Sequence, residues 1–152
     1  MKNTKKLTGI AVAGLTLAAG FAAAAPKPED SVEYRQGVLF AMGWNVGEMG
    51  AMVKGDAPFD AQRFAFLAER TAKLSPMVLE GFRPDSKGAK SHARSRLWDN
   101  MDDFEKRMKT LEEATQKLAT VAQGGDEGAM KKQFGETVQV CKKCHDEYRE
   151  KM

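Results

Sequence analysis

The spacing of apolar residues is the feature that most limits how this chain folds. Between positions 97 and 122, mostly apolar side chains recur at alternating steps of three and four residues, which places them on one face of an α-helix. They are Leu97, Met101, Phe104, Met108, Leu111, Thr115, Leu118 and Ala122. Two other stretches repeat the pattern: Phe64, Leu67, Thr71, Leu74 and Val78, and Met130, Phe134, Val138, Cys141, His145 and Tyr148. No stretch alternates with the period of two that is typical of a strand.

A further helix is predicted from Pro28, with a seven-residue apolar repeat. Its predicted core face consists of Val32, Leu39, Met42, Val46, Met49 and Val53. Turn residues separate the helices at positions 54–58, in a long loop over positions 81–93, and at Gly124-Gly125. Ser75-Pro76 predicts a break near the end of the second helix, and Ser95 is the predicted N-cap of the third. The sequence therefore predicts an all-α fold, an antiparallel four-helix bundle.

The first 24 residues predict an export signal. Three lysines precede an apolar run from Leu7 to Ala25, and Ala22-Ala23-Ala24 has the small residues of a cleavage site. We expect residues 1–24 to be removed, residues 25–152 to form the bundle, and no membrane attachment after cleavage. A retained anchor is the alternative, although the fully apolar stretch is at the short limit for a spanning helix.

The leader also accounts for the net charge. The chain has 24 Lys+Arg and 21 Asp+Glu. Its leader contains three lysines and no acid, so residues 25–152 carry 21 residues of each sign. This balance gives no indication of nucleic-acid binding. Export predicts a periplasmic location, where thiols are oxidised.

Cys141-Lys142-Lys143-Cys144-His145 is a Cys-x-x-Cys-His motif, the attachment signature of a c-type haem. On a helix, Cys141, Cys144 and His145 share one face, so two thioethers and an axial imidazole reach one porphyrin. A thioredoxin-like redox pair requires a βαβ pattern, which is absent from the sequence. A zinc site requires about four ligands, and His92 is the only other Cys or His. A disulfide across two residues of one helix would constrain almost nothing.

The exported leader, four helices and C-terminal haem motif together resemble the cytochrome c′ family of class II c-type cytochromes. The resemblance covers residues 25–152 and rests on these segments: Arg35-Gln36, Met42-Gly43-Trp44-Asn45, Lys54-Gly55-x-x-Pro58-Phe59-Asp60, Ala93-Arg94 to Trp98, Phe134-Gly135 and Cys141-Lys142-Lys143-Cys144-His145-Asp146-x-Tyr148-Arg149. It implies one covalent haem c with His145 as the axial ligand.

The resemblance also implies roles for residues outside the motif. Low-spin members place a ligating methionine where this chain has Leu39, which has no lone pair, so a five-coordinate, high-spin iron is expected. Arg35 and Gln36 match residues that bind a haem propionate. Met42, Phe82 and Met77 are expected at the distal pocket, although Met42 could reach the iron. Arg149 is expected near the proximal imidazole, and His92 near the haem edge.

These expectations favour a haem protein that binds nitric oxide or carbon monoxide over one that binds dioxygen, which needs a distal hydrogen-bond donor. An electron carrier between periplasmic redox partners, of unknown identity, is the alternative. A peroxidase needs a distal base and a polar assistant, and neither is apparent near Leu39. We therefore expect no enzymatic activity. The resemblance further implies a homodimer that pairs through the first two helices.

Overall fold

The computed structural model describes residues 25–151 and shows an all-α bundle, as the sequence predicts. The helices, in chain order, are α1 (Pro28–Lys54), α2 (Ala61–Leu74), α3 (Met77–Glu80), α4 (Arg96–Asp99), α5 (Met101–Gln123) and α6 (Glu127–Tyr148), with a 3-10 turn at Pro84–Ser86. The four long helices make the bundle, and the short ones lie along the loop between α2 and α5. The predicted export signal lies outside the described residues.

Local capping explains where the long helices begin and end. α1 ends at Gly55, whose φ of 82° lies in the left-handed region that glycine adopts most readily. The Asp60 carboxylate accepts a hydrogen bond from the Arg63 amide (2.9 Å) at the start of α2. Asp126 does the same for the Ala129 amide (2.6 Å) at the start of α6. These caps set the two tight turns at one end of the bundle.

Two predicted helices are interrupted. α2 stops at Leu74, so the predicted break at Ser75-Pro76 is confirmed and the second helix is shorter than expected. The third helix, predicted as continuous, is divided at Asn100, whose side-chain amide donates to the Arg96 carbonyl (2.8 Å) and competes with the helical hydrogen-bond ladder. Ser95 is the N-cap residue of α4, as predicted, but its side chain forms no capping hydrogen bond.

The apolar core consists of two clusters. The turn-end cluster contains Met49, Met52, Phe64, Leu67, Ala68, Leu118, Ala119, Ala122, Met130 and Phe134. The motif-end cluster contains buried Val38, Met42, Val78, Leu97, Phe104, Met108, Leu111 and Tyr148, with half-buried neighbours that include Leu39, Met77, Phe82, Trp98, Cys141 and Cys144. All four long helices contribute to the turn-end cluster, which contains no residue of the haem motif.

Along each long helix, buried polar residues separate the positions of the turn-end cluster from those of the motif-end cluster. The members of this polar layer are Asn45, Thr71, Ser75, Thr115 and Thr137. The Ser75 and Thr115 hydroxyls are 2.8 Å apart, and Thr137 Oγ1 donates to the Gln133 carbonyl (2.9 Å). Asn45 is fully buried, and neither polar atom of its amide has a partner among the described residues.

The buried face of α1 differs from the predicted one. It contains Val32, Arg35, Val38, Met42, Asn45, Met49 and Met52. Leu39, Val46 and Val53 are only half-buried. The helix also has apolar residues on its outer side, where Phe40 is 74% exposed and Trp44 66% exposed. Apolar residues on both sides obscure the repeat. The spacing therefore placed Val32, Met42 and Met49 correctly on the buried face, and Leu39, Val46 and Val53 wrongly.

Gly81 allows the loop after α3 to pass against α1. A Cβ atom at this position would lie 2.5 Å from the Arg35 Cβ and 3.0 Å from the Arg35 Cα, and backbone cannot move aside cheaply. Glycine is therefore required here by the close approach, although its φ of −83° is ordinary.

We expect Gly81→Ala to lower the free energy of unfolding by about 2–3 kcal/mol, because the added methyl group separates the loop from α1. Urea denaturation measures this change. Gly88→Ala is the matched control, since no atom lies within 4 Å of a Cβ there. Equal stabilities for the two variants would contradict the proposed close approach.

Candidate functional site

The last two turns of α6 carry the Cys-x-x-Cys-His motif. Cys141, Cys144 and His145 are half-buried, although the sequence predicted core positions for them. Lys142 and Lys143, between the two cysteines in sequence, are exposed to solvent. Both cysteines are free thiols and pack against the motif-end cluster. In the described part of the chain, no three Cys, His, Asp or Glu side chains form a metal-binding group, so the zinc alternative has no ligand set.

Partial burial affects each of the three groups. Burial raises the pKa of Cys141 and raises that of Cys144 to about 11, because the apolar surroundings disfavour a thiolate. Burial, and to a smaller degree the nearby Arg149 cation, lowers the pKa of His145. The imidazole is thereby kept neutral, which is the form that binds a metal.

The guanidinium of Arg35 is the buried cation of this end of the bundle. Arg35 is only 2% exposed, and burial lowers its pKa. Its Nη1 donates to the Gly81 carbonyl (2.8 Å) and the Ser86 hydroxyl (2.8 Å), and its Nη2 to the Ser91 hydroxyl (3.1 Å). The group also lies 4.7 Å from the centre of the Phe82 ring. Within residues 25–151, the hydrogen-bond partners of the Arg35 guanidinium are therefore neutral groups, and none of them is a carboxylate.

The remaining predicted site residues divide into two groups. Leu39, Met42, Met77 and Phe82 come together in the motif-end cluster with both cysteines, as expected of a pocket wall. Gln36, His92 and Arg149 are exposed. Arg149 is near enough to His145 to lower its pKa. Trp98 and Tyr148 pack in the cluster, and the Tyr148 hydroxyl donates to Asp103 (2.6 Å).

The sequence and fold were compared with those of known proteins. The family model described as Cytochrome C' matches residues 30–149. The cytochrome c′ of Halomonas halodenitrificans is 36% identical over 129 residues, which is 81% of this chain and 98% of that protein. This chain belongs to the cytochrome c′ family.

Solved cytochromes c′ have the same fold. Cytochrome c prime from Shewanella frigidimarina superposes with a TM-score of 0.79 at 36% identity, covering 82% of this chain and 98% of that one. A nitric oxide complex of a mutant cytochrome c prime from Alcaligenes xylosoxidans superposes with a TM-score of 0.76 at 33% identity, covering 83% and 98%.

Members of the cytochrome c′ family carry covalently bound c-type haem, and the residues of this chain fit that group. Two thiols and an imidazole lie on one helix face beside an apolar cluster. Arg35 supplies a buried cation whose partners are all neutral, and a haem propionate is the type of anion that a guanidinium binds best.

No helix within residues 25–151 is long and apolar enough to cross a membrane.

Sequence reasoning missed several residues of this cytochrome c′ site. Ser86 and Ser91 hold Arg35, and Arg94 contacts the carboxyl end of α6. They lie in the long loop, 51 to 59 residues from Arg35, and no spacing rule connects them with it. The Ala93-Arg94 pair was noted as part of the family resemblance, which was the one available signal.

In the haem-free protein, we expect Cys144 to react with iodoacetamide at pH 8 about 100-fold more slowly than an ordinary thiol, because its pKa is raised from 9.0 to about 11. The rate should rise through the interval from pH 9 to 11. Mass spectrometry of the labelled peptide measures it. The same chain in denaturant is the control, and equal native and denatured rates at pH 8 would show that the thiol is not shielded.

Proposed function

We propose that this protein is a periplasmic haem protein with a five-coordinate, high-spin iron that binds nitric oxide and carbon monoxide. In this proposal, Cys141 and Cys144 form the thioethers and His145 is the axial ligand. Arg35, with Gln36 beside it on α1, binds a propionate. The observation that carries the proposal is that Leu39 packs in the same cluster as both cysteines. A leucine there fills space without offering the iron a lone pair.

The chemistry of the cluster supports gas binding over dioxygen carriage. The members that come from α1, α3 and the loop after α3 are apolar: Val38, Leu39, Met42, Met77, Val78, Leu79 and Phe82. Tyr148 is the buried member with a hydroxyl, and that hydroxyl already donates to Asp103. Bound dioxygen is stabilised by a distal donor, whereas nitric oxide and carbon monoxide depend less on one. The nitric oxide complex of the Alcaligenes xylosoxidans relative supports the same assignment.

Met42 is the side chain that could change this conclusion. Its thioether is buried in the cluster three residues after Leu39. We assign it to packing, because methionine commonly fills irregular gaps in a core. Absorption spectra of the oxidised, reduced and nitric-oxide-treated protein test the assignment. A six-coordinate, low-spin spectrum of the reduced protein without added ligand would overturn it.

Electron transfer is the second candidate function. The half-buried cysteines would place the thioether edge of the haem close to solvent. An exposed edge shortens the path for electrons to a redox partner. Stopped-flow reduction distinguishes the two functions, since a carrier would exchange electrons at a rate that added carbon monoxide does not alter.

We expect Leu39→Ala to raise carbon monoxide affinity at least tenfold, because the smaller side chain removes steric resistance at the open face of the iron. Equilibrium titration of the reduced protein measures the affinity. Val46→Ala is the matched control, since Val46 is a half-buried residue of the same helix that packs against the turn-end cluster. If the two substitutions had equal effects on the affinity, Leu39 would not be the residue that restricts access of carbon monoxide to the iron.

The homodimer remains part of the proposal and is supported by the outer face of α1. Phe40 and Trp44 lie one turn apart and are largely exposed, and Gly43 and Gly47 have no atom within 4 Å of a Cβ position. Together they line a groove on the outside of the bundle. Apolar side chains beside small residues suit the close packing of a second helix.

We expect Trp44→Asp to shift the protein from dimer to monomer, because it places a charge in the apolar contact. Sedimentation equilibrium over a range of protein concentrations measures the mass. Thr110→Asp, on the exposed face of α5, is the control and should leave the mass unchanged. A wild-type protein that sediments as a monomer throughout would refute the dimer.

A further inference from the structure

The loop between α3 and α4 connects two parts of the haem site that are far apart in sequence. At its beginning, Gly81, Ser86 and Ser91 accept the three hydrogen bonds of the Arg35 guanidinium. The Ser91 hydroxyl also accepts a hydrogen bond from the Ala93 amide (3.3 Å). The loop is therefore fixed to α1 up to the residues that immediately precede Arg94.

Its end is fixed to the carboxyl end of α6. The Glu150 amide donates to the His92 carbonyl and the Arg94 amide to the Tyr148 carbonyl, both at 2.9 Å. The Arg94 side chain reaches further back, where Nη1 donates to the carbonyls of Asp146 (3.2 Å) and Glu147 (3.3 Å). Arg94 thus binds three successive carbonyls that directly follow His145.

These carbonyls belong to the last turn of α6, where no later amide of the helix is available to donate a hydrogen bond to them. Helix ends fray, and a cation near the negative end of the helix dipole favours the helical state. The neighbouring carboxylates are engaged elsewhere, because Asp146 pairs with Lys142 and Glu147 with Arg96. The guanidinium of Arg94 therefore acts on the backbone of this turn, and its contacts there are with carbonyl oxygens.

We propose that Arg94 is a positioning residue for the axial imidazole, and that it fixes the helical turn from which His145 approaches the iron. The proposal rests on the proposed role of His145. On one side His145 adjoins Cys144, which the thioether would fix to the porphyrin. On the other side it adjoins the turn that Arg94 fixes to the loop. With both neighbours fixed, the imidazole has little freedom to tilt or withdraw.

The loop also gives Arg94 a connection to Arg35. The hydrogen-bonded path runs from the Arg35 guanidinium through Ser91 to Ala93, the residue before Arg94. The propionate end of the haem and the proximal ligand are then held by one segment. Rotation of the haem relative to α6 would disturb both ends of that segment together.

The test compares Arg94→Gln and Arg94→Lys with Arg96→Gln in the haem-containing protein. Arg96→Gln removes a positive charge two residues away and breaks an exposed ion pair with Glu147, but leaves the Arg94 contacts intact. Two quantities are measured. Hydrogen exchange of the Arg149 amide, which donates to the His145 carbonyl, reports the last turn of α6. The iron–imidazole stretching band of the reduced protein, from resonance Raman spectroscopy, reports the position of the ligand.

We expect Arg94→Gln to accelerate exchange of the Arg149 amide at least about tenfold and to shift or broaden the iron–imidazole band. Arg94→Lys keeps the charge but has fewer hydrogen-bond donors, so its exchange rate and its band should lie between those of Arg94→Gln and the wild type. Arg96→Gln should have the exchange rate and the band of the wild type. If Arg94→Gln does not fold, Arg94→Lys against Arg96→Gln decides the outcome.

Two results would overturn the proposal: unchanged exchange, or accelerated exchange with an unchanged band, which would make the contact purely structural. A wild-type protein without an iron–imidazole band has a different meaning. It would refute a five-coordinate iron with His145 as its one axial ligand, and with it the proposed function, before any variant is compared.

Discussion

Burying a guanidinium costs several kcal/mol unless hydrogen bonds and an opposite charge compensate it. Arg35 has the hydrogen bonds, from a carbonyl and two hydroxyls of one loop, and its protein partners are neutral. That arrangement fixes the course of the loop, requires glycine at position 81, and leaves a cation ready for a carboxylate group. The motif-end half of the bundle therefore depends on this one charge, which the proposed propionate contact would compensate.

Sequence patterns predicted the parts of the fold in which one signal dominated. The regular spacing in α5 and the Ser75-Pro76 break each had a single physical interpretation. At the Cys-x-x-Cys-His motif, the alternatives to haem lacked the further ligands or elements that they require. In α1, apolar residues on both faces gave two readings, and spacing alone cannot separate a core from an exposed contact surface. Asn100 and Arg94 were missed because their effects depend on hydrogen bonds to particular carbonyls, which only the folded chain brings within reach.

The polar layer illustrates the same limit inside the core. Thr71 and Thr115 were predicted on the buried faces of their helices because they continue the steps of three and four residues. The structure confirms that both are buried. Their hydroxyls donate to carbonyls of their own helices, at Leu67 and Glu112. Asn45 has no such local partner, so its fully buried amide is the most costly polar group in the layer. With Thr71, Ser75, Thr115 and Thr137, it lies between the two apolar clusters.

That separation bears on how the protein matures. The turn-end cluster joins all four long helices and includes no residue of the haem motif, so its packing does not depend on the residues that would hold the cofactor. The motif-end cluster has its cysteines at the margin, where they are still accessible. One half of the bundle can therefore serve as a scaffold without the haem, while the other half keeps the motif cysteines at its margin, where a haem can be attached.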